Sequence, residues 1–238
     1  MGTLYIVSTP IGNLEDITLR ALRILKEVDI IACEDTRTTS QLLNLLSTKF
    51  AHVHNFSGSA HQPKLIRYDD RTEISKAPEI LELLTQGKSV ALVSDAGTPL
   101  ISDPGYVLVR EARKRGIPVI SVPGASALLT ALTSSGLPAD KFMFLGYPPE
   151  KQSHRFKLFT QIVSIKHLIG LTYIFYCPPH KLLTTLEDMK SVFGDIDVSI
   201  CRELTKIHEE CWSETISKTL AYYQNPKGEF VLMMSLST

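Results

Sequence analysis

No apolar run in the 238 residues approaches the roughly 20 that a helix needs to cross a bilayer, so a membrane partner is not expected. The opening Met1-Gly2-Thr3-Leu4-Tyr5 runs into a strand pattern without a basic stretch or a cleavage site, and a cytoplasmic location is the expectation. Cysteine is scarce: Cys33, Cys177, Cys201 and Cys211 include no C-x-x-C pair, which argues against a zinc site and a disulfide framework and for reduced thiols. Seven histidines form no H-E-x-x-H or other metal spacing, so no metal is expected. Neither sign of charge is in excess, with 25 Lys plus Arg against 25 Asp plus Glu. The chain therefore lacks the global electrostatic footprint of a DNA or RNA binder, DNA is not an expected partner, and any RNA contact must come from a local patch. Also missing are a G-x-G-x-x-G after the first strand pattern, a P-loop, and the second glycine that would make Gly124-Ala125-Ser126 a nucleophile elbow.

What is there is a soluble-enzyme composition, 44% hydrophobic and 21% charged, enough for one large domain or two small ones. Short β-branched runs at 4–8, 29–33, 52–56, 89–94 and 118–122 alternate with helical periodicity at 16–26, after Arg37, at 77–86 and at 106–115. That alternation predicts β-α units on a mostly parallel sheet. Residues 57–76 are polar, without sustained period, and read as one long loop, a length more often functional than accidental. After the turn-rich Ser134-Ser135-Gly136-Leu137-Pro138, strand patterns resume at 142–146, 171–176, 197–201 and 229–235. The expectation is two α/β domains, 1–137 and 138–238, the second with a mixed sheet.

Ligands in open α/β sheets bind beyond the carboxyl ends of strands, so the segments just after each strand pattern carry the functional signal. These are Thr9-Pro10-Ile11-Gly12-Asn13, Glu34-Asp35-Thr36-Arg37, Asp95-Ala96-Gly97-Thr98-Pro99 and Pro123-Gly124-Ala125-Ser126-Ala127. Glycine, proline and small side chains fix turns and let backbone approach a flat ligand. A structural turn explains any one of them; four at one edge favour a ligand site. Glu34 and Asp35 are candidate general bases and Arg37 a candidate anion clamp, against the plain alternative of a helix cap with a local ion pair. Asp103 before Pro104-Gly105 is open between cap and acid in the same way. In the second half, Phe175-Tyr176-Cys177-Pro178-Pro179-His180 and Arg202-Glu203-Leu204-Thr205-Lys206 end strand patterns and suit a second wall of a cleft.

These motifs, in order from residue 4 to about 232, with Gly136-Leu137-Pro138, Phe175-Tyr176 and Gly228-Glu229, resemble the rRNA small subunit methyltransferase I group of the tetrapyrrole methylase-like superfamily. The resemblance implies two α/β domains, S-adenosylmethionine (SAM) in the cleft between them, and a homodimer. It carries cofactor contacts onto Pro10, Asp95, Ala96, Gly97, Thr98, Ile101, Ser126, Ala127, Cys177 and Thr205. The chain departs from the family's pattern at Cys177, where an acid is usual, at Lys181, where Arg is usual, and in the 57–76 loop.

The implied reaction is 2′-O-methylation of a cytidine in the decoding region of 16S RNA in the small ribosomal subunit. Asp35, Glu34, Glu203 and Lys206 are candidates to take the hydroxyl proton, with Arg37 beside them. Arg37, Lys64, Arg67, Arg71, Lys151, Arg155, Lys157, Arg202 and Lys206 are candidate phosphate contacts. The alternatives are a tetrapyrrole or other small-molecule methyltransferase, and a catalytically silent SAM- or RNA-binding module.

Overall fold

A computed structural model describes residues 1–51, 62–165 and 170–236. The chain divides into two compact units, Met1–Ser126 and Ala127–Thr238. Among the described residues no helix is long and apolar enough to cross a membrane.

The first unit is a five-stranded parallel sheet in which β1 (Leu4–Val7), β2 (Ile30–Cys33), β3 (Lys64–Arg67), β4 (Val90–Val93) and β5 (Val119–Val122) stand in the order β3-β2-β4-β1-β5. Because side chains alternate across a strand, each strand feeds two cores. Leu4, Ile6, Ile30, Ala32, Ile66, Val90 and Leu92 pack under α3 (Glu73–Thr85) and α4 (Tyr106–Lys114). Val7, Ile31, Cys33, Ala91, Val93 and Val122 pack under α1 (Leu19–Glu27) and α2 (Thr36–Lys49). The sequence sets these helix starts locally: Thr18 accepts from the Ala21 amide to cap α1, and Asp35 accepts from the Arg37 amide to cap α2.

The second unit has β6 (Phe142–Phe144), β7 (Leu171–Cys177), β8 (Asp197–Arg202), β9 (Glu210–Thr215) and β10 (Phe230–Leu236), ordered β6-β7-β10-β8-β9. Only β6 and β7 are parallel, so the sheet is mixed. Phe175, Ile200, Phe230 and Leu232 face α6 (Gln152–Ile165), α7 (Pro179–Phe193) and α8 (Ile216–Tyr222). α5 (Ala127–Ser134) packs on β7 and β10. α6 and α7 are clasped by a buried ion pair: Arg155 Nε and Nη2 each stand 2.7 Å from Asp188 Oδ2, and Gln152 Nε2 donates to Asp188 Oδ1 at 2.7 Å. Arg155 Nη1 also donates to the carbonyls of Pro149 and Glu150.

Two α/β units with a parallel first sheet and a mixed second sheet match the expected architecture. The contacts divide at 126/127 whereas the turn-rich sequence break lies near Pro138, because α5 packs on the second sheet before that break is reached. The 57–76 stretch is not one long loop: Lys64–Arg67 is an edge strand, β3, and α3 begins at Glu73 despite Pro78 in its first turns. The short Lys-Leu-Ile-Arg run is too brief for a periodic signal. The strand expected at 52–56 lies outside the described residues.

Candidate active site

β2 and β4 are adjacent, but the chain leaves β2 through α2 on one face toward β3 and leaves β4 through α4 on the opposite face toward β5. Their loops diverge at the carboxyl edge, and such a switch point opens a crevice where α/β sheets hold ligands. Glu34, Asp35 and Asp95 stand there, with the Asp35 amide donating to Asp95 Oδ1 at 3.3 Å.

Three loops are sewn into one wall beside it. The Thr9 amide donates to the Gly97 carbonyl at 2.8 Å and the Gly97 amide to the Thr9 carbonyl at 3.1 Å. Thr98 Oγ1 donates to the Ala125 carbonyl at 3.0 Å, which leaves Ser8 Oγ to donate to Thr98 Oγ1 at 2.9 Å. Gly97 has φ 80°, and a Cβ there would lie 3.3 Å from Ile11 Cγ2; a Cβ on Gly124 would lie 2.9 Å from that of Ser8. The same loop holds Leu100 and Ser102 at φ 73° and 66°, left-handed backbone that non-glycine residues adopt only where surroundings force it. Farther along, Glu73 Oε1 accepts from the amides of Gly105 at 3.1 Å and Val107 at 3.0 Å, capping α4 just after Asp103.

Neighbouring acids have opposite electrostatics. Burial, then the charges of Asp103 and Asp95, push the Glu34 carboxyl up to about 7, against an amide hydrogen bond from Asp95. Asp103 is pushed up to about 6, mainly by burial. Asp95 is raised by burial as well. Asp35 is held far below the usual carboxylate range by Arg37, whose Nη2 is 2.8 Å from Oδ2 and whose amide is 2.8 Å from Oδ1. Glu34 is thus poised to exchange a proton near neutrality, while the oxygens of Asp35 are committed to a cap and an ion pair.

Of the other expected site residues in this unit, Pro10 and Gly97 are buried, Thr98 and Ser126 half-buried, and Asp95, Ala96 and Ile101 exposed. In the second unit Ala127 opens α5, and Cys177 ends β7 with its side chain in the core, where burial pushes the thiol up to about 12. The loop after β8 is tight, with Glu203 at φ 49° and Thr205 at φ 66°. Glu203 Oε1 accepts from Lys206 Nζ at 3.0 Å and from the Glu229 amide at 2.9 Å, and Lys206 Nζ also reaches Glu229 Oε2 at 2.9 Å. The Glu229 amide and Lys206 lower the Glu203 carboxyl. Burial works against the Lys206 ammonium, but the carboxylates of Glu229 and Glu203 outweigh it and raise its pKa. Thr205 Oγ1 is buried without a hydrogen-bond partner.

The expected phosphate contacts separate by exposure. Arg155 is not one of them, because it is buried against Asp188. Arg37, Arg67 and Arg202 pair with Asp35, Asp69 and Glu210. Lys64, Arg71, Lys151 and Lys157 are exposed. Asp103, read in the sequence as ambiguous between cap and acid, is placed by the structure with Glu34; the signal was its position after the fourth strand, obscured by the Asp-Pro cap pattern.

Residues 3–219 match the family described as Tetrapyrrole (Corrin/Porphyrin) Methylases. A Halalkalibacterium halodurans protein named ribosomal RNA small subunit methyltransferase I is 44% identical over 98% of this chain and 75% of its own length. A Thermotoga maritima protein of the same name is 43% identical over 99% of both chains. Among solved structures, diphthine synthase aligns with a TM-score of 0.72 at 14% identity, over 99% of this chain and 90% of its own. The methyltransferase CobJ aligns at 0.68 and 17%, over 98% and 94%. At those identities the likeness is one of fold.

Proposed function

Because this chain belongs to the tetrapyrrole methylase family and is a methyltransferase, we propose that it carries the methyl group of SAM to the ribose 2′-hydroxyl of a cytidine in the decoding region of 16S ribosomal RNA. The observation that carries the choice of substrate is the 42–44% identity, over nearly the whole chain, to relatives named for small-subunit ribosomal RNA. We also place it in the cytoplasm, as a homodimer.

The residues present fit the cofactor. Gly97 lets its loop close on Ile11 and the Thr9 backbone, which sets Asp95 and Ala96 at the surface, and Thr205 Oγ1 is a buried hydroxyl that lacks a protein partner. Pro10, the Asp95-Ala96-Gly97-Thr98 run, Ile101 and Ser126 are the first unit's contacts; Ala127, Thr205 and the backbone of Cys177 are the second's. When bound, SAM supplies an electrophilic methyl carbon on sulfur.

The chain's own task is to align the acceptor hydroxyl and relieve it of its proton. Glu34 is the group for the second task, since a carboxyl titrating near 7 is both ionised often enough and basic enough to take a proton on its oxygen. Asp35 positions α2 and Arg37 instead. Lys206, held as an ammonium between Glu203 and Glu229, has no lone pair to offer and serves to order the loop that carries Thr205. Lys64, Arg71, Lys151 and Lys157 are the cations open to phosphate.

The test is to incubate the protein and labelled SAM with small ribosomal subunits from a strain lacking the relative's gene, and to map the label. A single cytidine 2′-O-methyl group is expected. Label on a base, or only on a tetrapyrrole offered in parallel, refutes the reading.

A further inference from the structure

Cys201 and Cys211 face each other across β8 and β9, in direct register, with their Sγ atoms 2.8 Å apart. Partners in an antiparallel ladder have Cα atoms about 4.5–5.5 Å apart, within the span a disulfide bridges without backbone movement. The two thiols differ in access: Cys201 is fully buried beneath α5, its Sγ 3.8 Å from the Ala131 carbonyl, while Cys211 on the edge strand is exposed. Ser134 Oγ, in the last turn of α5, stands 3.4 Å from Cys211 Sγ and 3.7 Å from Cys201 Sγ. Nothing in the methyl-transfer reading uses either sulfur.

We propose that Cys201 and Cys211 are a redox-active dithiol, oxidised by low-molecular-weight disulfides such as oxidised glutathione to a bond that pins β8 to β9. Access fixes the order of steps. Cys211 Sγ attacks one sulfur of the oxidant, and the departing glutathione sulfur takes up the proton that Cys211 gives away. Cys201 Sγ then displaces the second glutathione from Cys211 and passes its own proton to it. The protein loses two hydrogens and two electrons, and one glutathione disulfide becomes two thiols.

Burial and the neighbouring Cys211 push the Cys201 thiol up to about 12, which makes its thiolate scarce. Proximity offsets this, because a sulfur already in contact acts at an effective concentration no solution thiol reaches. The bond closes a ring of chain that holds Glu203, Thr205 and Lys206, so oxidation reports directly on that loop. The inference does not depend on the methyl-transfer reading.

The native protein is incubated with excess oxidised glutathione, quenched with an alkylating agent and mapped by peptide mass. A Cys201–Cys211 disulfide reversible by dithiothreitol is expected, with Cys33 and Cys177, both buried, still alkylated after unfolding. Cys201→Ser should trap Cys211 as a stable mixed disulfide with glutathione. Cys211→Ser, at the exposed position, should take up no glutathione at Cys201. The wild-type map is decisive even if Cys201→Ser fails to fold. Two free thiols after prolonged oxidation, or wild-type Cys211 left as the mixed disulfide beside a free Cys201, overturns the proposal.

Discussion

Replacing Glu34 with Gln separates what its carboxyl does for the reaction from what it costs the fold. The rise of this group from 4.5 to about 7 corresponds to roughly 3 kcal/mol held against the folded, ionised state. Partial exposure lets water screen some of it, so about 1–3 kcal/mol is the working range. Below the unfolded value both states are protonated and nothing is lost. Between 4.5 and about 7 the unfolded chain ionises first, so stability falls as pH rises, and above that it levels off. Glu34→Gln should therefore be more stable than wild type by ~1–3 kcal/mol at alkaline pH, with the advantage gone in acid, read by urea unfolding across the pH range. Turnover should move the other way: ~10²- to 10⁴-fold slower, with SAM affinity unchanged and without the rise through neutrality expected of wild type. Asp35→Asn, which keeps a capping oxygen, should leave turnover nearly intact. Wild-type turnover in Glu34→Gln refutes the base assignment, and equal stability at every pH refutes the electrostatic account.

Gly97→Leu should cost about 2–5 kcal/mol, for a side chain in left-handed backbone and driven against Ile11, and abolish SAM binding by calorimetry at a temperature where the variant is still folded; retained binding would remove this loop from the site. Asp188→Ala strands the buried Arg155 guanidinium and should cost about 3–5 kcal/mol in chemical denaturation, far more than loss of the exposed Arg23–Glu27 pair, at ~0.5 kcal/mol. Lys64→Glu with Arg71→Glu should weaken binding to small subunits and flatten its dependence on salt; an unchanged salt slope would take RNA away from this face.

The parallel sheet was legible because its strands are buried on both faces and read as unbroken apolar runs, Ile30-Ile31-Ala32-Cys33 and Val90-Ala91-Leu92-Val93. The edge strands β3 and β9 were not. Lys-Leu-Ile-Arg and Glu-Cys-Trp-Ser-Glu-Thr are short and largely polar, which lets an edge strand tolerate water and leaves little pattern to find. The loops at the carboxyl edge were legible in composition, but the opposite electrostatics of the acids within them were not, since Glu34 and Asp35 are adjacent and chemically alike. What separates them is non-local: Asp95 and Asp103 arrive from the fourth strand's loop, whereas Arg37 lies two residues away. Arg155 looked like any other cation on a polar helix, because its partner Asp188 lies 33 residues further on.

The stitching of Ser8, Thr98 and Ala125 has a consequence for recombining such a protein from parts. Because a Cβ on Gly124 would collide with that of Ser8, and because the Thr98 hydroxyl joins both neighbouring loops, a change in one loop must be matched in the others. A loop grafted singly from a distant relative brings half of a lock. The chimera that folds is the one in which all three segments come from the same parent.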